Sequence, residues 1–186
     1  MTVTTIDPQT ALVVIDLQAG IVAIPGLAHP TDDIVARSVE LTRAFRERGL
    51  PVVLVNVDGV PPGRTDAPRR ALDFPAGFAD LIPELDAQPT DILVTKRSKG
   101  AFATTDLEAQ LRDRGVTQIV VTGIATASGV ESTVRDAHEH GFHVTVVSDA
   151  VTDRELAAHD HSIETIFPKI AEVGTTADVI AALPAA

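Results

Sequence analysis

Three positions in the 186-residue chain pair a telling residue type with a telling place. Asp16 ends the apolar run Ala11-Leu12-Val13-Val14-Ile15, and Lys96 follows the strand-like segment 91–95. Gly129 sits in the small-residue turn Ala125-Thr126-Ala127-Ser128-Gly129, which follows Val120-Val121-Thr122 and opens into a helical pattern. In open parallel sheets, ligands bind beyond the carboxyl ends of the strands, where all three residues fall. A carboxylate ending an apolar strand needs a partner, because an unpaired buried charge is costly. Lys96 is the candidate. The turn at Gly129 offers free backbone amides and the positive end of a helix dipole to a bound group. Together these features suit handling of protons and charge at a small site, and the same two charges equally suit a structural ion pair. The chain contains no cysteine, which excludes disulfides, thiolate catalysis and thiolate metal sites.

The elements that must position these residues alternate along the chain. β-branched runs at 11–17, 51–57, 91–95, 117–122, 143–148 and 169–173 read as six strands. Amphipathic segments at 31–48, 105–114, 127–140, 155–166 and 176–183 read as helices, three of them stopped by Gly49, Gly115 and Gly141. A further short helix is predicted over 76–81. Strands separated by helices imply right-handed crossovers, so the expected fold is α/β: a three-layer α/β/α sandwich on a six-stranded parallel, Rossmann-like sheet. The first and fourth strands are expected side by side at its centre. Segment 58–75, rich in Pro, Gly and Arg, is too long for a turn and reads as a binding loop or a disordered stretch. With no internal repeat or linker, residues 1–186 are read as a single domain.

Composition narrows the partners. Apolar residues make up 45% and charged residues 22%, which argues against disorder. A net charge of -11 disfavours nucleic acid and anionic membrane surfaces, because both require neutralising phosphates with Lys and Arg. The first residues show no basic segment followed by an apolar core, and the longest apolar runs fall short of the roughly 20 residues of a membrane span. A cytoplasmic location is therefore expected. Aromatic residues are only 3%, all phenylalanine, which disfavours a cation cage or a base-stacking platform. The pattern GxGxxG is absent, so a dinucleotide cofactor has no support and no cofactor is expected.

Nearly the whole chain resembles the isochorismatase-like hydrolases, part of the cysteine hydrolase superfamily. Leu12-Val13-Val14-Ile15-Asp16-Leu17-Gln18 is similar to the family's opening strand, with its catalytic aspartate. Lys96 with Gly100-Ala101-Phe102 and Thr105-Asp106-Leu107 is similar to its lysine motif. Residues 122–133, then Asp136-Ala137, Gly141 and Ser148-Asp149-Ala150, are similar to its cysteine motif and following strand. In most of the family the position of Gly129 is a catalytic cysteine; isochorismatases proper carry glycine there. The resemblance implies a cis peptide between Ile124 and Ala125.

It also implies a reaction: vinyl-ether hydrolysis of the isochorismate type, with no covalent intermediate. Asp16 would be the general acid, which requires a raised pKa. Lys96 opposes that by favouring the carboxylate, and would help instead with substrate charge or a developing anion. The sequence leaves this balance open. Ser128 is a poor substitute nucleophile, because one residue at a helix start turns a side chain by roughly 100°; a turn or capping hydroxyl is its simpler role.

Around these three catalytic positions, the residues expected to contact a small-molecule substrate are Asp58, Arg64, Phe102, Ala125, Thr126 and Ser128. Arg64 could grip a substrate carboxylate bidentately or be a solvated loop residue. Arg69 and Arg70 read as surface. Phe102 and Phe74 are the candidate aromatic wall. Nicotinamidase-like relatives bind metal through an Asp-x-His element after the second strand; here the stretch is Asn56-Val57-Asp58-Gly59-Val60, so no metal is expected. His138 and His140 fit a helix end. Family members are commonly dimers or larger, so a homodimer or larger homo-oligomer is expected. The competing functional reading is a catalytically inactive relative that keeps the pocket as a small-molecule or partner-binding module.

Overall fold

The computed structural model describes residues 3–66 and 74–184; Arg69 and Arg70 lie outside them. Six strands form one parallel sheet: β1 (Thr10–Ile15), β2 (Val52–Val57), β3 (Ile92–Lys96), β4 (Gln118–Ile124), β5 (His143–Thr152) and β6 (Glu172–Gly174). Their order is β3-β2-β1-β4-β5-β6, so the chain starts at the centre and reverses direction between β1 and β4. This is the topological switch point at which open parallel sheets bind ligands. The expected α/β sandwich, with β1 against β4, is the fold observed.

The helices are α1 (Ala19–Val22), α2 (Thr31–Glu47), α3 (Leu107–Asp113), α4 (Glu131–Glu139), α5 (Leu156–His161) and α6 (Thr176–Ala182). Successive strand residues point to opposite faces, and both faces here are covered. Val13, Ile15 and Val121 pack with Leu107, Leu111 and Val134 of α3 and α4. Leu12, Val14 and Leu54 pack with Ile34, Leu41 and Phe45 of α2 and Val179 of α6. That is why β1 reads as a nearly unbroken apolar run and is buried along its whole length.

Three predicted elements differ from the observed ones, each for a local reason. Residues 76–79 form a turn rather than a helix: Phe78 N donates to Pro75 O, Asp80 N donates to Gly77 O, and Gly77 sits at φ 83°. A left-handed residue there ends any helical winding. The sixth strand begins at Glu172 because Phe167–Lys169, which contains Pro168, winds as a 3-10 turn. β5 continues to Thr152, past the polar Ser148-Asp149 where the sequence pattern stops. An irregularity in its pairing with β4, between Val121 and Gly123, absorbs the change. Gly123 has φ 115°, and a Cβ there would run into the backbone of Ile15. Only glycine lets β4 approach β1 this closely, immediately before the turn that carries Gly129.

Candidate active site

Asp16 follows β1 in the left-handed region, at φ 53°, which is uncommon outside glycine though better tolerated by Asp than by most residues. Flanking hydrogen bonds hold it there: Asp16 N donates to Val55 O (2.9 Å), and Gln18 N donates to Asp16 O (2.9 Å). Gln18 is itself fully buried and acts as a brace. Its Oε1 accepts from Val57 N (2.7 Å), while its Nε2 donates to Val57 O and Phe78 O (both 3.0 Å). One side chain thus joins the ends of β1 and β2 to the turn bearing Phe78. Gly20 has no Cβ, and the Phe78 ring occupies that space.

Lys96 is the last residue of β3 rather than the residue after it. Two strand spacings, about 10 Å, separate β3 from β1, and only a long side chain closes that gap. Lys96 Nζ lies 3.0 Å from Asp16 Oδ2 and donates to Lys99 O (2.7 Å). Its side chain is 1% exposed, and that of Asp16 is 9% exposed. Burial pushes the Asp16 carboxyl up to about 6, outweighing the opposing pull of Lys96 and, more weakly, Lys99. Burial also pulls Lys96 below the usual lysine range, against the attraction of Asp16. Both shifts favour the neutral forms, so desolvation wins the balance that the sequence left open. Asp16 Oδ1 is buried with no hydrogen-bond partner among the described residues.

Gly129 completes the group. A Cβ built on it would lie 3.0 Å from Lys96 Nζ and 3.1 Å from Asp16 Oδ2. The space a side chain would take at this position therefore opens directly onto the ion pair. The peptide between Ile124 and Ala125 is cis, as the resemblance implies. The chain then makes one wide helical turn over Thr126–Val130, in which Ser128 N and Val130 N both donate to Ala125 O, before α4 begins. Thr133 Oγ1 donates to Gly129 O (2.7 Å) and accepts from Ala101 N (3.1 Å), binding the lysine loop to this turn. Asp153 Oδ2 accepts from Ala127 N (2.8 Å) on the other side. Asp153→Ala removes this bond and the one that Asp153 Oδ1 accepts from Arg154 N, and should lower unfolding free energy by about 1–3 kcal/mol, as read by urea denaturation.

These residues face a cavity of about 230 Å³. Its walls are mainly apolar, from Ile21, Ile24, Leu27, Val57, Phe74 and Phe78, with Asp16, Lys96, Ser128 and Gly129 at its chemical end. A larger cavity of about 420 Å³ lies against Gln118 and His143 at the opposite strand ends, remote from the pair.

Of the expected contact residues, Ala125 and Ser128 line the 230 Å³ cavity. Arg64 is exposed and is not among the lining residues. Asp58 also stands outside the lining and pairs bidentately with Arg97 (2.9 and 3.1 Å). Phe102 packs in the core against Phe142 and His140, so Phe78 rather than Phe102 joins Phe74 as the aromatic wall. Thr126 is buried, with its hydroxyl 2.8 Å from His159 Nδ1. The sequence reading missed Gln18 as a brace and Lys99 and Arg154 as lining residues. Gln18 was legible as a polar residue directly after an apolar strand, but the other two were indistinguishable from surface charge.

The metal position of nicotinamidase-like relatives does not fit this chain. Asp58 is committed to Arg97, Val60 stands where that element would place its histidine, and the described residues contain no group of three His, Cys, Asp or Glu placed to hold an ion. No described helix is long and apolar enough to cross a membrane.

The sheet carries a carboxyl–ammonium pair at its switch point, and residues 10–178 match the isochorismatase domain. The chain belongs to the isochorismatase family of hydrolases. It is 42% identical over 182 residues to the isochorismatase family protein YecD of Escherichia coli O157:H7, covering 94% of this chain and 96% of YecD. It is 30% identical over 209 residues to the ureidoacrylate amidohydrolase RutB of Stutzerimonas stutzeri, covering 95% and 84%. An isochorismatase family protein from Burkholderia thailandensis superposes with a TM-score of 0.92 at 45% identity, over 96% of this chain and 97% of that one.

Proposed function

We propose that this chain hydrolyses a vinyl ether of the isochorismate type, with Asp16 as general acid and Lys96 as the charge beside it. The observation that carries this reading is the Asp16 carboxyl, buried next to the side-chain space at Gly129 and pushed up to about 6. A general acid works best with a pKa near the operating pH.

In the proposed reaction, the Asp16 carboxyl gives its proton to the terminal vinyl carbon, leaving an oxocarbenium ion and the Asp16 carboxylate. Lys96 stabilises that carboxylate at 3.0 Å. Water adds to the cationic carbon and returns a proton to Asp16, and the resulting hemiketal collapses to an alcohol and a keto acid. No bond to the protein forms. Amide hydrolysis, the activity in the name of RutB, is less well supported by these residues. Position 129 offers no nucleophile, and the Ser128 hydroxyl already accepts from Lys99 Nζ (3.0 Å).

A panel of isochorismate, 2-alkoxyacrylates, nicotinamide and simple amides tests the proposal, with released keto acid or ammonia as the readout. Keto acid from the vinyl ethers is expected. Ammonia without keto acid would replace the proposal, and no turnover at all would favour the binding-module reading. The pH profile gives a second check. The protonated acid is the working form, so kcat/KM should be level below pH about 6 and fall roughly tenfold per unit above it. A rate that rises through that range would make Asp16 a base.

A further inference from the structure

We propose that Arg154 and Lys99 select substrates that carry a carboxylate on an apolar body; the proposal rests on the hydrolase reading of the same cavity. The chain carries a net charge of -11, yet its described cavity lining holds three cations, Lys96, Lys99 and Arg154, against the single carboxylate of Asp16. A concentration of positive charge in so acidic a protein marks a place for an anion.

The three cations are not equivalent. Lys96 is committed to Asp16 Oδ2 and Lys99 O. Lys99 Nζ makes one hydrogen bond, to Ser128 Oγ at 3.0 Å, which leaves two of its protons free. The Arg154 guanidinium has no partner among the described residues. Its neighbour Asp153 forms no ion pair with it and accepts from backbone amides instead: Oδ2 from Ala127 N at 2.8 Å and Oδ1 from Arg154 N at 2.7 Å. Asp153 O also accepts from Ala28 N (2.8 Å), so the backbone that carries Arg154 is fixed on three sides.

Both free cations are held against one turn, Lys99 through Ser128 and Arg154 through Asp153 and Ala127. That turn also carries Gly129. A guanidinium with a fixed base and unoccupied donors suits bidentate capture of a carboxylate. The apolar wall, Ile21, Ile24, Leu27, Phe74 and Phe78, offers no donors or acceptors from its side chains to a substrate hydroxyl, and the Ser98 hydroxyl in the lining is already engaged with Gly100 O and Thr104 Oγ1. A substrate built to this cavity has an apolar body and one carboxylate, held by Arg154 and Lys99 while the reacting atoms face Asp16. This assigns to Arg154, on the segment after β5, the role that sequence reading gave to Arg64.

Calorimetric titration with benzoate and with the uncharged benzamide tests this without turnover. Wild-type protein should bind benzoate more tightly than benzamide. R154A should weaken benzoate about tenfold or more, the scale of one charge-assisted contact, and leave benzamide within about twofold. R154K should recover part of the loss, because a point charge replaces the fork. Equal binding of the two ligands by wild-type protein overturns the proposal. So does unchanged benzoate affinity in R154A, or an equal loss for both ligands, which would indicate a collapsed wall. Benzoate selectivity in an enzyme that fails to cleave vinyl ethers would overturn only the proposed reaction. Vinyl-ether cleavage without such selectivity would overturn only this inference.

Discussion

Asp16→Asn is expected to lower kcat for vinyl-ether hydrolysis by about 10²–10⁴-fold, the range that general acid catalysis supplies. An amide keeps the shape of the carboxyl but cannot deliver a proton at useful acidity. The change also leaves Lys96 buried with Lys99 O as its remaining partner. Removing one member of a buried pair commonly costs about 3–5 kcal/mol, because the other charge is stranded. Lys96 already lies below the usual lysine range, so it can respond by shedding its proton, which moderates the penalty. The companion variant Asp16→Asn/Lys96→Met separates the two effects. It should regain thermal stability relative to Asp16→Asn and regain no activity.

The pH dependence of stability offers an independent readout of the same carboxyl. Between its ordinary value of 3.8 and about 6, Asp16 holds a proton in the folded chain that it lacks when unfolded. Its contribution therefore falls as pH rises through that window. Asp16→Asn should flatten this slope. If the variant retained wild-type turnover with vinyl ethers, Asp16 would not be the acid.

The sheet and the grouping of Asp16, Lys96 and Gly129 were legible in the sequence because both are written in local patterns. Apolar runs separated by amphipathic segments define a parallel sheet, and charged or glycine residues at the run ends define its ligand-binding edge. The expected adjacency of β1 and β4 is the one observed. What the pattern could not convey is which side chains near that edge turn toward the cavity. Phe102 sits in the lysine motif, yet it packs with Phe142 because the 100–106 stretch folds back onto α4 through Ala101 and Thr133. Phe78 was hidden in a segment read as helix. It reaches the cavity because Gly77 breaks the winding and Gly20 clears the space for its ring. Arg154 follows a strand whose end the polar Ser148-Asp149 disguised. In each case a long-range contact set the orientation. The balance at Asp16 was hidden for a related reason: it depends on how much water burial removes, a property of the assembled site.

Gly129→Cys is expected to exchange one chemistry for another. The new Cβ would meet Lys96 Nζ at 3.0 Å, Asp16 Oδ2 at 3.1 Å and Ile15 Cγ2 at 3.2 Å. Two of these neighbours are ends of polar side chains, so a shift of a few tenths of an ångström admits the Cβ without unfolding the turn. Gly129 lies within a helical winding, where an L-residue is tolerated. The sulfur then fills the space in which a vinyl carbon would approach Asp16. Vinyl-ether turnover should fall by tenfold or more, equivalent to at least about 1.4 kcal/mol in the barrier. The ammonium of Lys96 favours a thiolate there. Because the natural chain has no cysteine, iodoacetamide should label the variant once, at this site, as read by mass spectrometry. Thiol-dependent hydrolysis of simple amides should appear and disappear with that label. Gly129→Ala separates the two causes: it should lower vinyl-ether turnover through filled space alone and gain no amide hydrolysis. Wild-type vinyl-ether turnover in both variants would mean that the reacting carbon does not approach Asp16 through this space, and the assignment of Asp16 as its proton donor would fall with it.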